Sequence, residues 1–283
     1  MTEEKQGKYR RNNQTVEQIL EDMDLFDDDF MSKVFEHNIP ATELLVQIIL
    51  GDDSIRVQSV KAQVTLKGPK VNGRSVRLDI VARDGNGRIF NVEVQRKMAG
   101  ASPQRARFHS SMIDARLLKQ KEDFTSIAET YVIFICEGDR YQKGLPLYHV
   151  ERTVQELEEP FRDGSHIIYV NGRYKGDDAI GKLIHDMKCK QADEFHYAPI
   201  AESVRYFKET EEGKSKMCEK VERYAKEYAK EYAKECVDET TAKLVKSLME
   251  SMDISFEDAI RALKINEKQA EELKEAIIGV ESI

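Results

Sequence analysis

The stretch that most confines this chain is RLDIVARDGNGRIFNVEVQRK, residues 77–97. Two apolar runs rich in β-branched residues flank a Gly-Asn-Gly turn, the pattern of a tight β-hairpin. Each run carries one acid among its apolar residues, Asp79 in the first and Glu93 in the second. If the loop is Gly85-Asn86-Gly87, with Gly87 in the left-handed region, Asp84 pairs with Arg88. Counting inward, Asp79 then pairs with Glu93, whereas a loop of even length would put the acids on opposite faces. Residues two apart in a strand share a face. Gln95 therefore points with Glu93, and Lys97 joins them if the strand continues that far.

The flanking sequence places this hairpin in an α/β domain. TVEQILEDMD (15–24) and DDDFMSKVFEHN (27–38) have helical spacing, the second with acids at its start, where the helix dipole favours them. TELLVQIILG (42–51) reads as a helix with Thr42 as N-cap and Gly51 at its end. Residues 54–66 form a strand, 67–75 a turn-rich loop, and 76–82 and 88–96 the two hairpin strands. A helix from Ser102 to about Gln120 has Pro103 in its first turn. ETYVIFICE (129–137) is a continuous apolar run, expected of a strand buried on both faces, and HIIYVNG (166–172) is another strand. A helix between two such strands predicts a parallel crossover.

The predicted organisation is an unstructured start over 1–14, an α/β domain over 15–210, a long charged helix over 211–248 and a small helical module over 249–283. The long helix contains KVERYAKEYAKEYAKEC, in which Tyr224, Tyr228 and Tyr232 lie along one drifting face. It is either an exposed connector or a dimerising helix that pairs two chains through its Tyr/Ala stripe. Ser255–Asp258 and Asn266–Gln269 resemble capping boxes that start two short helices. The second of these is acid-rich, which disfavours laying it against phosphate.

Composition narrows the function classes. No apolar run approaches the length of a membrane span, and the N-terminus has no signal-like apolar region. The four cysteines lack CxxC spacing and are expected to be reduced thiols of a cytoplasmic protein. Net charge is -8, yet Arg56 to Lys121 holds 15 Lys/Arg against 4 Asp/Glu. Such a basic block with acidic flanks is the electrostatic footprint of a polyanion-binding protein, or else a solvated surface. No P-loop, G-x-S-x-G or dinucleotide fingerprint is present.

Two carboxylates brought to one point repel unless a cation neutralises them. Oxygen ligands suit a hard ion, Mg²⁺ or Mn²⁺. With Gln95, Arg77, Arg96 and Lys97 nearby, such a site has the parts for phosphodiester hydrolysis. The order helix, strand, hairpin, helix, strand, with VRLDI, NVEVQRK, GASPQRARFHSSMID and ETYVIFICE, resembles the PD-(D/E)XK nuclease superfamily. These strings look like its recombination-promoting nuclease and transposase branch. The resemblance runs from DDDFMSKVF (27–35) through HIIYVNG, and more loosely to residue 209. It implies a restriction-endonuclease-like core, a central mixed sheet flanked by helices, and a Mg²⁺-dependent DNA endonuclease of mobile or recombining DNA. Asp79 and Glu93 match the metal-binding acids of that family. Gln95 matches the third motif position, where Lys is usual. Gln carries no charge, so Lys97 or Arg77 would have to supply the cation. Glu36 or Asp29 would match the acid that the superfamily often carries on its first helix.

The helix after the hairpin carries Arg105, Arg107, His109, Ser110 and Ser111 near its start, the composition of a phosphate-binding helix N-terminus. With Arg77 and Arg96, these form the expected DNA contacts. His185, Cys189 and His196 lack the spacing and fourth ligand of a common zinc site. The expectation is therefore a Mg²⁺-dependent, DNA-cleaving enzyme that pairs through its C-terminal helices. Its rival is a weak or inactive DNA-binding protein that keeps the fold, a reading that Gln95 sustains.

Overall fold

A computed structural model describes residues 16–68, 74–118, 120–217, 241, 243–263 and 265. Tyr224, Tyr228, Tyr232 and the Asn266–Gln269 box lie outside them, so the YAKE stripe and the second tail helix are outside the described residues. The chain divides into two compact units, Met1–Cys218 and Glu219–Ile283.

The first unit is built on a six-stranded mixed sheet in the order β1-β2-β3-β4-β8-β5. The strands are β1 (Val57–Leu66), β2 (Val76–Asp84), β3 (Ile89–Gln95), β4 (Thr130–Cys136), β5 (Leu147–Val150) and β8 (Ser165–Asn171). β1 to β3 form an antiparallel meander, while β3, β4 and β8 run parallel. The connection from β3 to β4 passes through a 3-10 turn (Met98–Ala101) and helix α4 (Pro103–Asp114), the crossover expected from the sequence. β5 and the small β6–β7 pair (Thr153–Val154, Glu159–Pro160) have no counterpart in the sequence expectation. Their burial explains this: β5 is half exposed and β6–β7 is largely exposed, so neither carries an apolar pattern.

The helices α1 (Val16–Asp22), α2 (Asp28–Phe35), α3 (Ile39–Leu50), α5 (Ala179–Lys188) and α6 (Ala198–Glu209) complete the unit. α2 contacts β1, β2 and β3, and α6 packs on α2 and α3. Thr42 is not the cap of α3. Asn38 is, its side chain accepting from Ala41 N–H, and Thr42 is fully buried one turn in. Pro40 explains the earlier start, since proline suits the first turn of a helix. Gly51 closes α3 in the left-handed conformation at φ 63°, as expected.

On the other face, α4 lays Ala106, Met112 and Ile113 against Val76, Leu78, Ile89, Val132 and Phe134. α4 ends at Asp114, six residues before the expected Gln120. In the second unit, residues 243–252 are helical, and α7 (Phe256–Ala262) is capped by Ser255, whose side chain accepts from Asp258 N–H at 3.1 Å. Phe256, Ala259 and Val245 form its core. No helix among the described residues is long and apolar enough to cross a membrane.

Candidate active site

The hairpin loop sets the site. Asp84 N–H donates to Arg88 carbonyl at 3.2 Å, and Gly87 sits at φ 86°. Only a residue without a Cβ adopts that angle cheaply. The resulting register pairs Arg83 with Ile89, Ala82 with Phe90, Val81 with Asn91 and Ile80 with Val92. The next pair in this register is Asp79 and Glu93, as the loop length predicts.

At that pair the backbone ladder gives way to side chains. Asp79 N–H donates to Glu93 Oε1 at 3.1 Å, and Val94 N–H donates to Asp79 Oδ2 at 3.2 Å. Each carboxylate thus reaches onto the opposite strand and fills the gap where β2 and β3 part. The neighbouring strand is distorted at the same level. Gln63 of β1, which lies between the pairs Ala62–Ile80 and Val64–Leu78, has φ 52°. Correspondingly, Leu78, Asp79 and Ile80 are all buried, where an alternating strand would expose the middle one.

Glu93 is 0% exposed and Asp79 6%. Burial is the largest cause lifting both carboxyls above their ordinary range. The second cause for Glu93 is the charge of Asp79, and for Asp79 it is the charge of Asp28. The ionised forms of both carboxyls are therefore costly here, and the fold compensates them only in part.

The partial compensation comes from Arg105 on the first turns of α4. Its guanidinium donates to Glu93 Oε2 at 3.0 Å, to Gln95 Oε1 at 3.2 Å and to Gly100 carbonyl at 3.0 Å. Its Nε donates to His109 Nε2 at 3.3 Å, the i,i+4 contact that the sequence suggests. Gly100 leaves room for the Gln95 amide, because a Cβ there would lie 1.9 Å from Gln95 Oε1 and displace that side chain. His109 is 2% exposed, and burial, then Arg105, pushes its pKa down to about 4. It is neutral at pH 7. With Nε2 accepting from Arg105, the proton sits on Nδ1. Nδ1 lies 3.7 Å from Glu93 Oε1 and 3.3 Å from the Asn91 amide. The same Asn91 amide hydrogen-bonds the Glu93 side chain and favours its ionised form.

The other predicted positions divide. Arg77 is exposed beside the site and pairs with Asp28 at 3.5 Å. Arg107 is exposed. Lys97 lies beyond the end of β3, at the start of the 3-10 turn. The strand alternation that would align it with Glu93 therefore stops at Gln95. Arg96 corrects one expectation. It is bound to Asp24 (2.7 Å), Asp27 (3.1 Å) and Glu137 (3.0 Å), bracing the α1–α2 connection against the end of β4 instead of facing a ligand. Ser110, 3% exposed, is buried in α4 and offers its hydroxyl to no phosphate at the surface. His109 is buried against Glu93, so it belongs to the floor of the site and not to a phosphate-binding helix start.

Glu36 is a further correction. It caps the C-terminal end of α2 and pairs with Lys33 at 2.7 Å. The acid of α2 that acts on Asp79 is Asp28, at the opposite end of the helix. Asp29 instead accepts from Gln63 Nε2 at 3.2 Å. Three residues escaped the sequence reading: Asp28, Asn91 and Gly100. Only Asn91 had a legible signal, two residues before Glu93 on its face.

Part of the basic block also serves the fold. Arg88 pairs with Asp84 at 2.6 Å and Asp52 at 3.4 Å, and Arg116 donates to the Met112 and Lys67 carbonyls. Compared with known families, residues 35–173 match the model described as PD-(D/E)XK nuclease family transposase. That segment contains Asp79, Glu93, Gln95 and Arg105 but begins after Asp28. No curated protein and no solved structure matches the chain.

Proposed function

We propose that this chain, a member of the PD-(D/E)XK nuclease family transposases through residues 35–173, is a metal-dependent DNA endonuclease. It would hydrolyse phosphodiester bonds in the cytoplasm during movement or recombination of DNA. Family membership supports the coarser part, a nuclease linked to transposition. The observation that carries the finer part is the buried pair Asp79 and Glu93, reaching across one strand gap with Arg105 against them.

These residues fit a hard divalent ion such as Mg²⁺ or Mn²⁺. Both donors are carboxylate oxygens, and both carboxyls are held up chiefly by burial and then by a neighbouring acid. Asp79 and Glu93 would hold the ion, which when bound neutralises phosphate charge and activates water. Arg105 is placed to face charge that develops on the phosphate next to Glu93, the role an electrophilic lysine would have two residues after the acid. Gln95 holds that guanidinium through its amide oxygen, and neutral His109 holds it from behind. Asp28 and Arg77, paired at the mouth, modulate the charge on Asp79.

One feature favours the rival reading of a weak DNA-binding protein. Arg105 already takes Glu93 Oε2, so the acid must release part of that bond to serve an ion. Incubation with supercoiled plasmid decides between them. Nicking with Mg²⁺ or Mn²⁺, none with EDTA and none for Asp79→Ala is the expected result. DNA retention in a gel without cleavage, with either ion, would leave only the binding role.

The proposal extends to a homodimer through the C-terminal helices, which would bring two sites to one DNA. Sedimentation at equal concentration is expected to show a dimer for the full chain and a monomer for a chain ended near residue 212. Monomers in both cases would remove the paired cut.

A further inference from the structure

A second cluster lies beyond the segment that carries the family match. His185 and Asp186 sit in the last turn of α5, and His196 immediately precedes Tyr197, the N-cap of α6. One ligand atom from each of the three lies within 4.8 Å of the other two. The imidazole rings meet edge to face, with centroids 4.6 Å apart.

Asp186 is 0% exposed, and its only ion-pair partners among the described residues are the two imidazoles. Oδ2 accepts from the backbone N–H groups of His196 and Tyr197, both at 3.0 Å. Oδ1 is approached by three nitrogens: His196 N at 2.9 Å, His196 Nδ1 at 2.9 Å and His185 Nδ1 at 3.3 Å. The His196 N–H is shared between the two oxygens, so four nitrogens in all converge on a carboxylate with about four lone-pair directions. An ion can lie among Oδ1 and the two Nδ1 atoms when the two imidazoles present lone pairs in place of protons. Ligand atoms around a tetrahedral zinc-sized ion, each about 2.0–2.2 Å from it, stand roughly 3.4 Å apart; His185 Nδ1 lies at 3.3 Å from Oδ1, and His196 Nδ1, at 2.9 Å, would move outward slightly to admit the ion. The backbone N–H groups of His196 and Tyr197 keep the carboxylate aimed, that of Tyr197 through Oδ2 alone. Both histidines are partly exposed, with side-chain exposures of 50% and 41%, so an ion has an entry path and solvent can complete its shell. Cys189 Sγ lies 3.4 Å from His185 Nδ1 and 4.0 Å from the Glu194 carbonyl, beside the three and not among them.

We propose that His185, Asp186 and His196 form a second metal site, distinct from the Asp79–Glu93 pair, for a first-row transition ion of the zinc class. Two imidazoles and one carboxylate suit such an ion and not Mg²⁺, which selects oxygen. The ion would tie the C-terminal end of α5 to the start of α6, and α6 packs on α2, the helix that carries Asp28.

The test is Zn²⁺ binding to the full chain after treatment with a chelator and desalting. Asp79→Ala is used as background, so that the nuclease-site acids do not contribute. One Zn²⁺ per chain is expected, with His185→Gln and His196→Gln each weakening binding at least roughly tenfold. Cys189→Ser is expected to leave binding unchanged. Should the histidine variants misfold, the same background protein supplies the second readout. Modification of His185 and His196 by diethyl pyrocarbonate, located by mass spectrometry, is expected to be blocked by Zn²⁺. No stoichiometric uptake in the micromolar range, uptake that survives loss of both histidines, or full modification in the presence of Zn²⁺ would each overturn the site and leave Asp186 as a hydrogen-bonded clamp.

Discussion

In metal-free buffer the unit containing Asp79 and Glu93 is expected to lose thermal stability as pH rises from about 5 to about 8, on the order of 5 °C in melting temperature. The sign follows from proton linkage. Both carboxyls have folded pKa values raised above the ordinary range, Asp79 to about 6 and Glu93 to about 8, chiefly by burial. Between the unfolded and folded values, the folded chain holds protons that the unfolded chain has released. The stability this contributes is fully present below the unfolded pKa and is lost as pH rises through the folded pKa. Because the two groups titrate as a pair, the loss belongs to the pair and not to either residue.

Two changes should remove the slope for separate reasons. Glu93→Gln takes away the more buried acid and its repulsion with Asp79, so its melting profile should be flatter and higher at pH 8. Saturating Mg²⁺ should raise the wild-type melting temperature at pH 8 and have little effect at pH 5, where the acids are protonated and cannot hold the ion. The same substitution is expected to abolish nicking, so that stability and activity would move in opposite directions, as expected of a site strained for function. Profiles of wild type and Glu93→Gln that overlap from pH 5 to 8, with no shift by Mg²⁺, would show that the two acids carry no stored repulsion and would remove the metal reading with it.

The hairpin was legible because its geometry is local. A loop with glycine at the left-handed position fixes the register, and register alone brings Asp79 opposite Glu93. The parallel crossover was legible for a similar reason: an apolar run such as YVIFIC has few places to go except the middle of a sheet. What sequence could not give was set by tertiary convergence. The acid that influences Asp79 is at the start of α2 and not at its end, because the helix points its N-terminus toward the site. Glu36 and Asp28 are equally good helix residues, and only packing chooses between them. The basic block illustrates the same limit. Arg96 reads as a potential phosphate ligand, yet it is occupied by acids from distant segments, Asp24 and Glu137. Ser110 and His109 read as helix-start donors, but a helix N-terminus is polar on one side only, and both face inward.

Moving the positive charge of the site from α4 back to β3 is the sharpest test of how this chain works with glutamine where lysine is usual. Arg105→Ala is expected to lower the rate constant for nicking about 100-fold, the typical cost of deleting one group that stabilises transition-state charge. Gln95→Lys alone should also be slower than wild type, because it places a second cation where Gln95 Oε1 now accepts from Arg105 and would drive the guanidinium off Glu93. The double variant should recover about tenfold or more over Arg105→Ala, since one cation again stands beside Glu93. Two harmful changes that compensate each other are the signature of a shared physical position. Lys97→Ala should stay within about threefold of wild type, as expected of an exposed side chain, because the strand that would have aligned Lys97 with Glu93 ends at Gln95. The kinetic split identifies the role. If Arg105 served only to grip the DNA backbone, its loss would raise KM and leave kcat in place. A fall in kcat with KM little changed, and its rescue by lysine at position 95, require the charge to act at the reacting phosphate. Failure of the double variant to exceed Arg105→Ala, with both proteins folded and binding DNA, would return Arg105 to the role of a structural partner for Glu93.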